Sequence, residues 1–135
     1  MRREFKLGEE DEECLAALGL AWETVVEKKQ GEKDTKWLIF SEYPIPEGYN
    51  HRLTSAALRI KPSYPDDGID MVYFFPPLAL TSGKAIGALS PLKVDNKEYQ
   101  QWSRHRTSEN PWRPSLDNVC THMLQVDSWL QRELK

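Results

Sequence analysis

The sequence lacks a long apolar run, an excess of basic residues and any pair of cysteines spaced for metal binding. No apolar stretch approaches the roughly 20 residues of a membrane-spanning helix, so we expect no membrane association. The formal net charge is −3, which argues against nucleic acid as a partner. The three histidines, His51, His105 and His122, are scattered and predict neither a zinc site nor any other metal centre. Nothing in the sequence points to a cofactor.

The N-terminal residues MRREFKLGEEDEE are charged throughout and contain no apolar core of a secretory signal. We therefore expect a cytoplasmic protein. The two cysteines, Cys14 and Cys120, are far apart in the sequence and could pair in a disulfide. In a reducing compartment two free thiols are the simpler expectation.

The composition is that of a folded domain, with 135 residues of which 39% are hydrophobic and 29% are charged. A chain of this length buries roughly two-thirds of the surface that its unfolded form exposes. We therefore predict a single domain over residues 1–135 that needs neither a disulfide nor a metal for stability.

Local patterns predict a helix followed by strands. The acidic residues 9–13 precede Cys14 to Leu18, and Gly19 follows, which are helix start and stop signals. β-Branched and aromatic residues between turn signals then predict four strands, at residues 21–27, 35–40, 55–60 and 69–75. Their short connections favour a four-stranded antiparallel meander.

Residues 78–111 show no clear hydrophobic periodicity, so no helix or strand is predicted there. In a compact domain, a segment of this length without secondary structure is typically functional. A final helix is predicted from about residues 114–117 to about Leu134. Its apolar stripe consists of Leu116, Val119, Met123, Val126 and Leu130. The predicted class is thus α+β, with a helix at each end of the chain.

Three motifs in this order carry a resemblance to the ubiquitin-conjugating (UBC) superfamily over about residues 12 to 134. Tyr64-Pro65 follows the third strand, Pro76-Pro77 closes the fourth, and Trp112-Arg113-Pro114 precedes the last helix. The C-terminal part looks like the prokaryotic UBC-like family that accompanies bacterial ubiquitin-like modifiers. It shares Trp102-Ser103-Arg104-His105, the Trp-x-Pro motif, Thr121-His122 and Trp129-Leu130.

The resemblance implies a UBC-like fold with an irregular active-site segment before the last helix. It also implies partners: an activating enzyme, a ubiquitin-like modifier and a JAB-type peptidase. By the same resemblance the chain would act in a bacterial conjugation system, with antiviral defence as its setting.

Three departures from the superfamily pattern affect this expectation. Pro76-Pro77-Leu78 stands where a His-Pro-Asn motif usually follows the fourth strand, so no residue is assigned to stabilise the oxyanion. The N-terminal helix is acidic where it is usually basic. No cysteine occupies the nucleophile position, since counting back about eight or nine residues from Trp112 reaches Arg104 or Ser103.

Ser103 is therefore the candidate nucleophile, and the product would be an oxyester rather than a thioester. A serine hydroxyl needs a general base within hydrogen-bond reach. His105 could share a face with Ser103 in an extended segment, although direct bonding is not assured. Arg104 and Arg106 could hold an oxyanion or an acidic group of the modifier. In the alternative interpretation Ser103 caps a turn and His105 is a surface residue.

The cysteines are rival nucleophiles. Cys120 is predicted in the middle of the last helix, where a thiol is usually buried and its pKa is not lowered. Cys14 is predicted in the first turn of its helix, beside carboxylates that oppose thiolate formation. His122 is predicted off the main apolar stripe, as a hydrogen-bonded structural residue.

Three functions remain open at this point. The first is a carrier that accepts the modifier from an activating enzyme and transfers it to an amine. The second is a non-catalytic UBC-like binding module. The third is a nucleic-acid-binding domain with a patch formed by Trp102, Arg104, His105, Arg106 and Trp112, against which the acidic balance counts.

Overall fold

The computed structural model describes all residues, 1–135, and contains two helices and one six-stranded sheet. The helices are α1 (Glu9–Leu18) and α2 (Val119–Glu133). The strands are β1 (Trp22–Glu27), β2 (Thr35–Pro44), β3 (Leu53–Ile60), β4 (Val72–Phe75), β5 (Leu89–Val94) and β6 (Lys97–Trp102). The predicted α+β class is confirmed. Neither helix combines the length and apolar character that crossing a bilayer requires.

The sheet order is β1-β2-β3-β4-β6-β5, and all pairings are antiparallel. The first four strands form the predicted meander, but a total of four strands was wrong. Residues 78–111 contain a hairpin, β5–β6, of which β6 pairs with β4 and β5 forms the sheet edge.

The hairpin has one signal that sequence reasoning missed. Its two-residue turn is Asp95-Asn96, and both residues have positive φ, 51° and 64°. Such turns match the twist of antiparallel strands and favour Asn, Asp and Gly. The strand β5 itself is mostly exposed and contains Pro91, so it shows no alternation of apolar and polar residues. Proline is tolerated there because β5 is an edge strand.

The strand β4 begins at Val72, three residues later than predicted. Met71 has a φ of 59°, which is left-handed and rare for a residue other than glycine. The left-handed backbone of Met71 interrupts the stretch that was predicted as one strand. Ile69 and Asp70 therefore belong to the loop before β4.

The two faces of the sheet are buried differently. Leu38 and Phe40 of β2 face the helices, whereas Trp37 and Ile39, one position out of phase, face the other way. The main core joins the first face to both helices, and it includes Leu15, Ala56, Leu58, Phe74, Trp102, Val119, Met123, Val126 and Leu130.

The second face is covered by the end of the β5–β6 hairpin. Val94 and Tyr99 pack in one cluster with residues of β1 and β2. The Arg2 guanidinium bonds both Glu23 on β1 and Asp95 in the hairpin turn. These contacts join the two ends of the sheet, so the sheet curls over its second apolar cluster.

The last helix begins later than predicted. Asn118 is its N-cap, and the Asn118 side chain accepts hydrogen bonds from the backbone N–H groups of Cys120 and Thr121. The Thr121 hydroxyl in turn accepts from the Asn118 N–H, which completes a capping box. Leu116 therefore lies outside the helix and is 68% exposed, not part of the apolar stripe.

Candidate functional site

The Tyr-Pro and Trp-x-Pro motifs meet in space. The Trp112 indole Nε1–H donates a hydrogen bond of 2.7 Å to the Pro65 carbonyl. Its ring centroid lies 5.8 Å from that of Tyr64. The indole also covers Gly68, where an added Cβ would collide with it. This contact anchors the connecting segment (residues 103–118), which links β6 to α2, against the loop that follows β3.

The start of the connecting segment is held by two backbone hydrogen bonds. The Ser103 N–H donates to the Ala88 carbonyl at 3.0 Å. The Met71 N–H donates to the Arg104 carbonyl at 3.1 Å. The three residues predicted as catalytic, Ser103, Arg104 and His105, therefore lie on an ordered backbone at the end of β6.

Ser103 is half-buried, and its hydroxyl contacts Gln101. The Gln101 Nε2–H donates to Ser103 Oγ at 3.2 Å, across the two-residue spacing of an extended strand. No hydrogen bond joins Ser103 to His105. The Ser103 hydroxyl therefore has the Gln101 amide as its partner, and no side-chain base of the protein accepts its proton.

The His105 side chain is 67% exposed and faces Asp70. The His105 Nδ1 atom lies 3.8 Å from Asp70 Oδ2. Asp70 also lies 3.9 Å from the Lys61 ammonium. The imidazole thus sits beside a carboxylate that sequence reasoning did not associate with it, because Asp70 precedes it by 35 residues.

Arg104 is bound to the rest of the domain. Its Nη2 group donates to Glu133 at 3.2 Å, and Nη1 donates to the Gly87 carbonyl at 3.1 Å. The guanidinium lies 4.9 Å from the centre of the Trp102 ring. Only 18% of the Arg104 side chain is exposed. Its visible role is to tie the connecting segment to the end of α2.

Arg106 and His122 form a buried polar contact between the connecting segment and α2. The His122 Nε2–H donates to the Met71 carbonyl at 2.8 Å, and Arg106 Nη2 approaches His122 Nδ1 at 3.5 Å. Arg106 is also 3.8 Å from Asp117 and stacks over Trp112. These contacts suit a neutral imidazole that carries its proton on Nε2.

The buried position of His122 determines its charge state. Burial lowers the pKa of His122 to about 4, the Met71 carbonyl opposes the shift, and the Arg106 charge adds to it. The predicted hydrogen-bonded, structural role of His122 is confirmed. Its predicted position off the apolar stripe was wrong, since His122 is fully buried beside Trp129.

The two cysteines form a disulfide between α1 and α2, so the expectation of free thiols was wrong. The packing of α1 against the first turn of α2 brings their Cα atoms to 6.2 Å. Cys120 is the second residue of α2, not a mid-helix residue, and Cys14 is the sixth residue of α1, not in its first turn. Neither sulfur is available as a nucleophile in this state.

Asp11 is a buried polar residue that sequence reasoning did not single out. The acidic run on α1 predicted only the start of a helix, yet Asp11 within it is only 5% exposed. Its carboxylate accepts from the Tyr64 hydroxyl at 2.9 Å and from the Val119 N–H at 3.0 Å. The available signal was its spacing of four from Leu15, which places both on one helix face.

The residues proposed as a nucleic-acid patch do not form an exposed surface. Trp102 is fully buried, and only 8% of the Arg106 side chain is exposed. A base could not stack on Trp102 without opening the core, so the geometry disfavours that function. No group of three or more His, Cys, Asp or Glu side chains converges in a way that could hold a metal ion.

Two helices on one face of an antiparallel sheet, with the Tyr-Pro and Trp-x-Pro motifs in contact, form an α+β domain consistent with the UBC resemblance. The family model described as prokaryotic E2 family E matches residues 7–133. The chain therefore belongs to this family, as the sequence motifs indicated. Searches of curated proteins and of solved structures gave no match.

Proposed function

We propose that this chain is a carrier that accepts the C-terminus of a ubiquitin-like modifier as an oxyester on Ser103 and passes it to an amine. Family membership implies an activating enzyme and a modifier as partners in general. The observation that carries the oxyester is the place of the two cysteines, which lie against each other on α1 and α2 and not on the connecting segment. The count back from Trp112 reaches Ser103 or Arg104, and of these two only Ser103 has a nucleophilic side chain.

The chemistry at Ser103 would proceed by two acyl transfers. In the first, Ser103 Oγ attacks the activated carbonyl carbon of the modifier and the new C–O bond forms. The bond from that carbon to the activating enzyme's leaving group breaks, and the serine proton passes to a base or to the departing group. In the second, an amine attacks the ester carbon, the C–N bond forms and the C–Oγ bond breaks. An ester is less reactive toward amines than a thioester, so this second step would be slow without assistance.

Two neighbours of Ser103 suit these steps. The Gln101 amide donates to Ser103 Oγ, and a donor at this oxygen favours negative charge on it as the C–Oγ bond breaks. His105, which is exposed two residues away, would serve as the proton acceptor once the modifier's chain end or the amine lies between them. Arg104 would act by fixing the backbone of the segment through Glu133 and Gly87.

The same proposal includes the cellular setting of the chain. The chain would act in the cytoplasm, where ATP supports activation of the modifier. A JAB-type peptidase would release the modifier from its targets, and antiviral defence would be the biological context. The prokaryotic family supports a bacterial conjugation setting in general.

The test is formation of a covalent adduct. The purified chain would be mixed with its activating enzyme, the modifier and ATP, and the intact mass would be measured with and without thiol reductant and mild base. An adduct that survives reductant and is cleaved by base is expected. Ser103→Ala should abolish it.

Two variants serve as controls in this experiment. Thr107→Ala removes an exposed hydroxyl from the same segment and should leave the adduct unchanged. The double variant Cys14→Ala/Cys120→Ala should also still form it. A reductant-sensitive adduct that disappears in the double variant would instead assign the chemistry to a cysteine released from the disulfide.

A second candidate function is a non-catalytic UBC-like binding module. The observation that favours it is the absence of a hydrogen bond between Ser103 and His105, which leaves the serine without a resident base. In this case the chain would bind the modifier or the activating enzyme, and no adduct would form with any variant.

A further inference from the structure

The loop residues Asp70 and Met71 are held in an unusual conformation beside the connecting segment. Met71 has a φ of 59°, and two hydrogen bonds fix it there. The Met71 N–H donates to the Arg104 carbonyl at 3.1 Å, and the Met71 carbonyl accepts from His122 at 2.8 Å. A left-handed backbone at such a residue persists only when its surroundings enforce it.

The left-handed conformation of Met71 sets the position of Asp70. Ile69, the residue before it, is almost fully buried, so the backbone that carries the Asp70 side chain is anchored on both sides. Asp70 Oδ2 then lies 3.8 Å from His105 Nδ1, although no regular element holds either residue. The ring nitrogen on the far side of the imidazole, Nε2, has no hydrogen-bond partner, and the side chain is 67% exposed.

We propose that Asp70 is a positioning residue that holds the His105 imidazole with Nδ1 toward the protein and Nε2 toward an incoming amine. A carboxylate beside Nδ1 favours the neutral form that carries its proton on Nδ1 and leaves the Nε2 lone pair free. This inference deepens the proposed function, since the catalytic part of it rests on transfer from Ser103.

His105 would carry one proton from the amine to the serine during the transfer. As the amine nitrogen bonds to the ester carbon, it loses a proton to His105 Nε2. As the C–Oγ bond breaks, Ser103 Oγ takes a proton, from the imidazolium directly or through water. The imidazole and the serine hydroxyl are then both restored, and the product is an amide.

The first experiment measures the tautomer of His105 and needs no activity. Two-bond proton–nitrogen correlation spectra of the ¹⁵N-labelled protein would be recorded at about pH 8.5, where an ordinary imidazole is neutral. We expect the Nδ1–H form to dominate at His105 in the wild type. Asp70→Ala should shift it to the Nε2–H form that predominates in water, and Asp70→Glu should restore it in part.

Two internal comparisons accompany this measurement. Lys61→Ala removes the cation that lies 3.9 Å from Asp70 and should leave the His105 tautomer unchanged. His51, which makes no ion pair, should show the same signals in every variant. Equal tautomer populations at His105 in wild type and Asp70→Ala would overturn the proposal.

The second experiment measures discharge of the loaded carrier onto free lysine in a single turnover. Asp70→Ala should still load, and its loaded form should discharge about tenfold more slowly, because part of the general-base contribution of His105 is lost. Failure of the wild type to load would refute the proposed function and leave the tautomer result to decide the role of Asp70. Normal discharge by Asp70→Ala would refute that role while the carrier function stands.

Discussion

The Asp11 carboxylate on α1 accepts a hydrogen bond of 3.0 Å from the backbone N–H of Val119, the first residue of α2. The same carboxylate accepts from the Tyr64 hydroxyl at 2.9 Å. Burial and the Asp11 charge both raise the pKa of Tyr64, which keeps the phenol protonated as a donor. One buried side chain thus connects the N-terminal helix, the Tyr-Pro motif and the start of the last helix.

We therefore predict that Asp11→Ala lowers the free energy of unfolding by about 2–4 kcal/mol, because it leaves two donors without their acceptor. Urea denaturation would measure the loss. Tyr64→Phe, alone and combined with Asp11→Ala, completes a double-mutant cycle, and the cycle should give a coupling of about 1–2 kcal/mol. Additive effects of the two changes would contradict the hydrogen bond.

Gly68 offers a second test, of the contact between the two sequence motifs. Its Cα faces the Trp112 indole so closely that any Cβ would collide with the ring. Gly68→Ala should displace Trp112, break its bond to the Pro65 carbonyl, and destabilise the domain by about 1–3 kcal/mol. Urea denaturation followed by tryptophan fluorescence would report the change.

Gly87→Ala is the matched control for that prediction. No atom outside the adjacent residues lies within 4 Å of a Cβ at Gly87, and its φ is not left-handed. Stability close to that of the wild type is expected. A neutral Gly68→Ala would show that the two motifs do not pack as described.

The buried His122 predicts acid sensitivity. Its pKa is about 4 in the folded protein against 6.5 as the ordinary value, so between these values the unfolded chain binds a proton that the folded chain does not. The contribution of the neutral His122 to the free energy of unfolding is complete above about pH 6.5 and is lost as the pH falls toward 4. The full loss amounts to about 3 kcal/mol.

The measurement is the pH dependence of unfolding in wild type and His122→Gln. The difference in stability between the two proteins should shrink from pH 7.5 to pH 4.5, because glutamine does not titrate. The ionisation of other groups affects the stability of both proteins equally, so it cancels in the difference between them. A constant difference over this range would mean that His122 is not a buried neutral imidazole.

The disulfide predicts a response to reductant. The bond between Cys14 and Cys120 spans 106 residues, and closing a loop of this length restricts the unfolded chain. Reduction should lower the free energy of unfolding by about 2–5 kcal/mol. Thermal denaturation with and without reductant would show the shift, with thiol titration to verify reduction.

Cys14→Ala/Cys120→Ala provides the control for the disulfide. This double variant should resemble the reduced wild type and should not respond to reductant. A wild type whose thiols titrate freely before any reductant is added would contradict the pairing.

The sequence determined the parts of the fold that depend on local chemistry. Runs of β-branched and aromatic residues between turn signals predicted β1 to β4 in order, because each strand carries its own local composition. Gly19, with a φ of 69°, ends α1 where the sequence placed its end. The Tyr-Pro and Trp-x-Pro motifs then identified the family, since their order along the chain is a property of the sequence alone.

Only the tertiary structure decided the features that join distant residues. The disulfide, the burial of Asp11 and the approach of Asp70 to His105 each connect segments that no local pattern relates. The strand β5 was hidden because an edge strand needs no alternation of apolar and polar residues. The start of α2 at Val119 was instead a local signal that sequence reasoning missed, since Asn118 and Thr121 form its capping box. Side-chain environment is set by what packs around a residue, so the partners of Ser103, Arg104 and His105 could be assigned only once the fold had brought their neighbours together.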